Sequence, residues 1–204
     1  MRYLALLFAT ACGTVPESGL HYDSVRARLS EASTSLYVHD EASFGTVTAR
    51  RRDHDAVTTD LAIQHGYIRV ALDDSGRLAI GELEIAVAPI TTVLASGKPA
   101  RLQDIGARLV VPARGDVTWA SDDEATATIA MVFDVGGALA LDGGTPKPLA
   151  TQRLRPQSVD ITLDGTGDHI DASLRLDAIG ELWTWADGVE ITEITLSLGA
   201  ETAN

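Results

Sequence analysis

The side chains best suited to metal or proton chemistry in this chain are five histidines, His21, His39, His54, His65 and His169. None stands at ligand spacing from a second histidine or a cysteine, as H-E-x-x-H or C-x-x-C would supply. Solvated loop histidines explain them, and a zinc site is the weaker alternative. The stretch DGTGDHID, residues 164–171, sets Asp164, Asp168 and Asp171 around Gly165 and Gly167. Such oxygens suit Ca2+, although the register is not that of an EF-hand loop. A hairpin turn calls for the same Asp and Gly residues. The run from Arg50 to Asp55 mixes both signs, and a solvated strand end accounts for it. No G-x-S-x-G, P-loop or other nucleophile-and-base set occurs. The expectation is therefore no catalytic residue, no metal and no cofactor, with an enzyme the least supported class.

A different kind of chemistry is suggested by Cys12, the one cysteine of the chain. It follows Arg2, an apolar run from Tyr3 to Phe8, and Ala9-Thr10-Ala11. That is the layout of a short export signal, too short to span a bilayer as a mature helix. Ala-Thr-Ala-Cys resembles a bacterial lipobox, in which the cysteine is acylated and becomes the first mature residue. An ordinary signal cleaved before an incidental cysteine is the alternative. A lone cysteine forms no intramolecular disulfide.

The elements that must position any site are strands. Ile68, Val70 and Leu72 alternate with Arg69, Ala71 and Asp73, and Leu83, Ile85 and Val87 alternate with Glu82, Glu84 and Ala86. Period-two alternation places the apolar set on one face. Asp74-Ser75-Gly76 supplies the turn between two arms. The apolar parity changes near Gly81, which predicts a bulge there. Similar runs carry Ala127, Ile129, Met131 and Phe133, then Val159, Ile161 and Leu163, then Ile170, Ala172, Leu174 and Leu176, then Ile194, Leu196 and Leu198. Gly136-Gly137, Asp142-Gly143-Gly144, Asp164–Gly167 and Asp187-Gly188 read as turns. Helix is expected only near 22–32, with Asp23 or Ser24 as a cap, and as a turn within 99–106, where alternation fails. The fold class is all-β, an antiparallel β-barrel, with a β-sandwich as the alternative. The chain carries 29 acidic and 16 basic residues, a formal charge of −13, which does not suit a nucleic-acid partner.

Tyr37, Asp40 and Ser43, then Gly66–Ile68, Ile90–Thr92, Val117–Ser121, Leu139–Leu149 and Arg175–Gly180, taken in order, resemble the YceI-type, lipocalin-like polyisoprenoid-binding family. Tyr37, Asp40 and Ser43 match its opening Y-x-I-D-x-x-H-S, without the histidine. Gly66-Tyr67-Ile68 through Ile90-Thr91-Thr92 matches its G-x-I-x-F hairpin and I-x-T element, and Val117–Ser121 matches the end of its P-x-x-T-F-x-S strand. Leu139–Leu149 resembles L-x-L-x-G-x-T-x-P-V, and Arg175, Asp177 and Gly180 resemble R-x-D-F-G. Of its R-D-x-H-L-x-S-x-D-F stretch only Arg101–Asp104 stands in place.

The resemblance implies an apolar, isoprenoid-like lipid held inside a barrel. The expected lining is Phe44, Ile68, Val70, Leu72, Ile85, Val87, Trp119, Ile129, Met131, Phe133, Leu174 and Trp183. Trp183 and Trp185 share one parity, which fits a pocket rim, a core pair or a surface ladder. The expected organisation is a signal at 1–11, a lipidated Cys12 and tether through 34, one barrel domain at 35–200 and a tail at 201–204. The expected protein is an exported lipoprotein of the cell envelope, held at a membrane through Cys12. Two readings of the barrel stay open: a lipid carrier, or a non-catalytic structural or protein-interaction module with a filled core.

Overall fold

The computed structural model describes residues 21–51, 55–93, 99–184 and 189–203. The signal region and Cys12 lie outside them, as do His54 and Trp185. The described residues make eight antiparallel passes. The first is β1 (Thr34–Arg51) and the second β2 (Val57–Leu72). The third is β3 (Leu78–Val87) with β4 (Ile90–Val93). The fourth joins β5 (Pro99–Leu109), β6 (Ala113–Gly115) and β7 (Val117–Trp119). The fifth is β8 (Ala125–Met131) and β9 (Phe133–Leu141). The sixth is β10 (Lys147–Pro148), β11 (Gln152–Arg153) and β12 (Gln157–Gly165). The last two are β13 (Ile170–Thr184) and β14 (Val189–Thr202).

Each pass is hydrogen-bonded to the one before it, and β14 returns to pair with β1. Strand by strand the path is open, from β10 at one end to β7 at the other. The circuit is completed covalently, where β8, paired with β12, runs through Val132 into β9, paired with β5. The architecture is thus an up-and-down antiparallel barrel. Its polarity is apolar inside and polar outside. On β13, Ala172, Leu174 and Leu176 are buried while Asp171, Ser173, Arg175 and Asp177 are exposed. A barrel that spans a bilayer carries the opposite alternation.

One end is plugged by helix α1 (Val25–Glu31). Ser24 caps it, its Oγ accepting from the Ala27 N–H at 3.1 Å. Val25 and Leu29, one helical turn apart, point into the barrel and are fully buried. Each contributes about 1.5–3 kcal/mol of apolar burial. Neighbouring turns hold the helix from outside: Asp123 accepts the Val25 N–H at 3.0 Å, and Arg28 donates to the Asp168 carbonyl at 2.8 Å.

A waist of irregularities crosses the wall. Pairing shifts between His39 and Phe44 on β1, Ile63 and His65 on β2, and Gln103 and Gly106 on β5. The inward parity changes with it. Leu61 and Ile63 point in above the waist on β2, and Ile68 and Val70 below it. The bulge expected at Gly81 is present, opposite the step from Arg69 to Val70.

Three expectations are corrected. Residues 99–106 form strand, not a helical turn. The alternation is hidden there by a bulge at Asp104, whose φ is 53°. Gly136-Gly137 is not a hairpin turn but a parity change within β9, where Val135 and then Ala138 are buried. The barrel also runs past residue 200: Glu201 and Thr202 belong to β14, and Thr202 is buried.

Candidate functional site on the barrel wall

The expected site was the interior. Ile68, Val70, Ile85, Val87, Ile129, Met131, Phe133 and Leu174 do point inward, and there they form one continuous core. Leu72 packs against its edge. Among the described residues, Ile85, Phe133 and Leu174 share with Leu83, Val159, Leu176, Leu196 and Leu198 a void of about 10 Å3. Sites for drug-sized ligands run to about 300–1,000 Å3. Trp119 is half-buried at the plugged end, with the Arg26 guanidinium 5.4 Å from its ring centroid. Phe44 departs from the expectation: it is 67% exposed on the outer face, because the bulge at residues 40–43 resets β1 and turns Gly45 inward instead. A Cβ on Gly45 would lie 2.6 Å from Leu196 Cδ2, so even that position is occupied. The side chain of Trp183 lies outside the described residues.

Among the described residues, two concavities of the outer wall lie at the waist, and a third, about 330 Å3, lies beside Thr91, Arg101 and Gly143. One, about 420 Å3, crosses four strands. His65, Ala86, Gly106 and Gly136 are successive partners across β2, β3, β5 and β9, so the floor is nearly bare backbone. The next row is Tyr67, Glu84, Arg108, Asp134 and Arg153, alternating in charge from Glu84 onward. Arg153 donates twice to Asp134, at 2.9 and 3.2 Å, and these bonds hold the Asp134 carboxyl below its ordinary range. Burial, aided by Glu82 and Glu84, pushes the Tyr67 phenol up.

The second cleft, about 550 Å3, lies where β1 arches off β14 at Asp40–Ala42. Ser43 bridges the gap, accepting the Gly199 N–H at 3.0 Å and donating to its carbonyl at 3.3 Å. Beside this cleft stand His39, His169, Asp171 and Glu201. Asp171 and Glu201 are direct cross-strand partners, and His169 lies just before β13. One donor atom each from His169, Asp171 and Glu201 falls within 4.8 Å of the others. Sequence spacing does not reveal this group, because its members meet only through the β1–β14–β13 register. Of the acids of residues 164–171, Asp164 accepts the Gly165 N–H and stands across from Asp171, Asp171 stands across from Glu201, and Asp168 pairs instead with His21.

These features define an antiparallel barrel with an apolar interior and a polar, indented wall. No family model matches the chain, and no curated protein matches it. Among solved structures it is similar to Ail, the attachment invasion locus protein of Yersinia pestis, determined in complex with the heparin analogue sucrose octasulfate. That likeness has 9% identity, covers 83% of this chain and 98% of that one, and has a TM-score of 0.43.

Proposed function

We propose that this chain is a non-catalytic β-barrel module of the cell envelope that acts through its outer wall, its interior being structural. The observation that carries the reading is the packing inside: among the described residues, the void between Ile85, Phe133, Leu174 and Leu198 is about 10 Å3, against about 420 and 550 Å3 for the two wall clefts at the waist. The bare backbone floor at Ala86, Gly106 and Gly136, edged by alternating charge, suits an extended polar partner such as a peptide segment. The envelope location rests on the apolar run before Ala9-Thr10-Ala11-Cys12, with Cys12 as the acylated tether. Two or more acyl chains hold a protein stably at a bilayer, whereas one does not.

The test is organic extraction and native mass spectrometry of the purified protein, with an apolar fluorescent probe titrated in parallel. The expected result is no stoichiometric lipid beyond acyl chains attached to the protein, and no saturable probe binding. One molar equivalent of free lipid released on denaturation would overturn it and favour the carrier implied by the YceI-type resemblance. The tether is tested separately: Cys12→Ser should leave the membrane fraction, and retention there with unchanged mass removes the lipoprotein reading.

A further inference from the structure

We propose that His169, Asp171 and Glu201 form a binding site for a divalent transition metal of the zinc class, with His39 holding Glu201 in place. Four observations converge. First, the donor spacing fits. His169 Nε2 lies 3.4 Å from Asp171 Oδ1 and 3.5 Å from Glu201 Oε2. Zinc bonds to nitrogen and oxygen of about 2.0–2.1 Å place tetrahedral ligands about 3.3–3.4 Å apart. The two carboxylate oxygens need only a small side-chain adjustment to complete the triangle, since all three atoms already lie within 4.8 Å.

Second, the acids oppose each other. Asp171 stands directly across from Glu201, and Asp164 directly across from Asp171, so three carboxylates occupy one row on adjacent strands. Like charges in that position destabilise a sheet unless something neutralises them. Among the described residues, the only ion pairs made by Asp171 and Glu201 are with histidines.

Third, the supporting shell is present. Thr202 Oγ1 lies 3.3 Å from His169 Nδ1 and accepts the Ile170 N–H, which sets the ring and leaves Nε2 toward the carboxylates. His39 Nε2 sits 3.0 Å from the other oxygen of Glu201. This nitrogen is buried although the His39 side chain is 41% exposed, and its contact with Glu201 is an ion pair that falls short of hydrogen-bond geometry. Fourth, two of the ligands, Asp171 and Glu201, border the 550 Å3 cleft under the β1 arch, which leaves room for a water or exogenous group at a fourth position. The mixed nitrogen and oxygen set favours zinc over Ca2+, which takes six to eight oxygens, and over Mg2+.

The experiment is isothermal titration of Zn2+ into the metal-stripped full-length protein at neutral pH, with thermal melts before and after metal and after chelator. Wild type should bind one equivalent and melt higher with metal, reversed by chelator. His169→Ala and Glu201→Gln should each weaken binding at least 100-fold. His39→Ala should weaken it about 10-fold, the range for a supporting residue. Asp171→Asn should lose the metal-dependent rise in melting temperature while melting no lower than wild type without metal, because it removes one of the opposed charges. This conservative variant keeps the test valid if His169→Ala folds poorly. Absence of Zn2+ binding by wild type, or unchanged affinity in the Asp171→Asn/Glu201→Gln double variant, overturns the proposal. The second outcome would place any bound zinc elsewhere, for instance at Cys12 or His54.

Discussion

The two halves of the barrel, below and above the waist, are built from the same strands but packed differently. Below it, toward α1, Leu36, Ile68, Leu78, Ile80, Ile129, Met131 and Ile170 are at most barely exposed. Above it, the inward set is smaller and less sealed: Leu61, Leu102, Ala138, Ala140 and Ile191 keep some exposure, and Val47, Ile90 and Ile194 are only partly buried. The difference follows from the plug. Val25 and Leu29 close one mouth with apolar side chains, and the turns at Asp122–Asp123 and Gly167–Asp168 bond to the helix that carries them. The lesson is that identical period-two patterning yields unequal burial, because burial also depends on what covers the end of a barrel.

This contrast can be broken or sharpened in order of effect. Ile129→Ala, below the waist, should cost about 2–5 kcal/mol in denaturant-induced unfolding, and Ile191→Ala, above it, less. Equal losses would show the halves to be one uniform core. Overpacking comes next. Ala172→Trp, whose site is buried below the waist, should cost ~1–3 kcal/mol. Gly115→Ala should act in the same direction, since its Cβ would lie 2.6 Å from Ile129 Cγ1 and 3.0 Å from the Thr128 carbonyl oxygen. Thermal melts check both, and a neutral Ala172→Trp would reveal interior space that the static packing conceals. Ser24→Ala removes the α1 cap and should cost roughly 0.5–2 kcal/mol. Hydrogen exchange should then rise below the waist before it rises above.

The smallest effect is on acid stability. The Asp134 and Asp73 carboxyls are held below their ordinary value of 3.8, Asp134 by Arg153 and Asp73 by Ser75 and the Arg77 N–H. A lowered folded-state value means these carboxylates stabilise the fold above the ordinary carboxylate range. The contribution is lost as pH falls through the folded value. Asp134→Asn should flatten the acid limb of stability against pH and leave its neutral region little changed in shape. An unaltered acid limb would show that the Arg153 pair adds nothing to folding.

The strand character of the chain was legible because alternation survives wherever the ladder is regular, as from Ala125 to Phe133 and from Ile170 to Leu176. It failed where strands bulge. Asp104 and the Gly136-Gly137 pair interrupt the period, so a continuous strand read as loop, helix or turn. The family resemblance places Phe44 inside, whereas the bulge at residues 40–43 puts it on the outer face. The His169–Asp171–Glu201 group was illegible for another reason. Its chemistry depends on pairing register between distant strands, and single-strand patterns carry no information about that.

The seam between β1 and β14 has a consequence in time. Ser43 and Gly199, which bond across it, are 156 residues apart. The first strand described therefore waits, with one edge unpaired, until the last one has been made. Contacts of such long range slow folding and prolong the exposure of open strand edges. Any handling machinery has to protect β1 throughout that interval. A chain cut before β14 would keep two bare edges, on β1 and β13, and should self-associate rather than remain a smaller monomer.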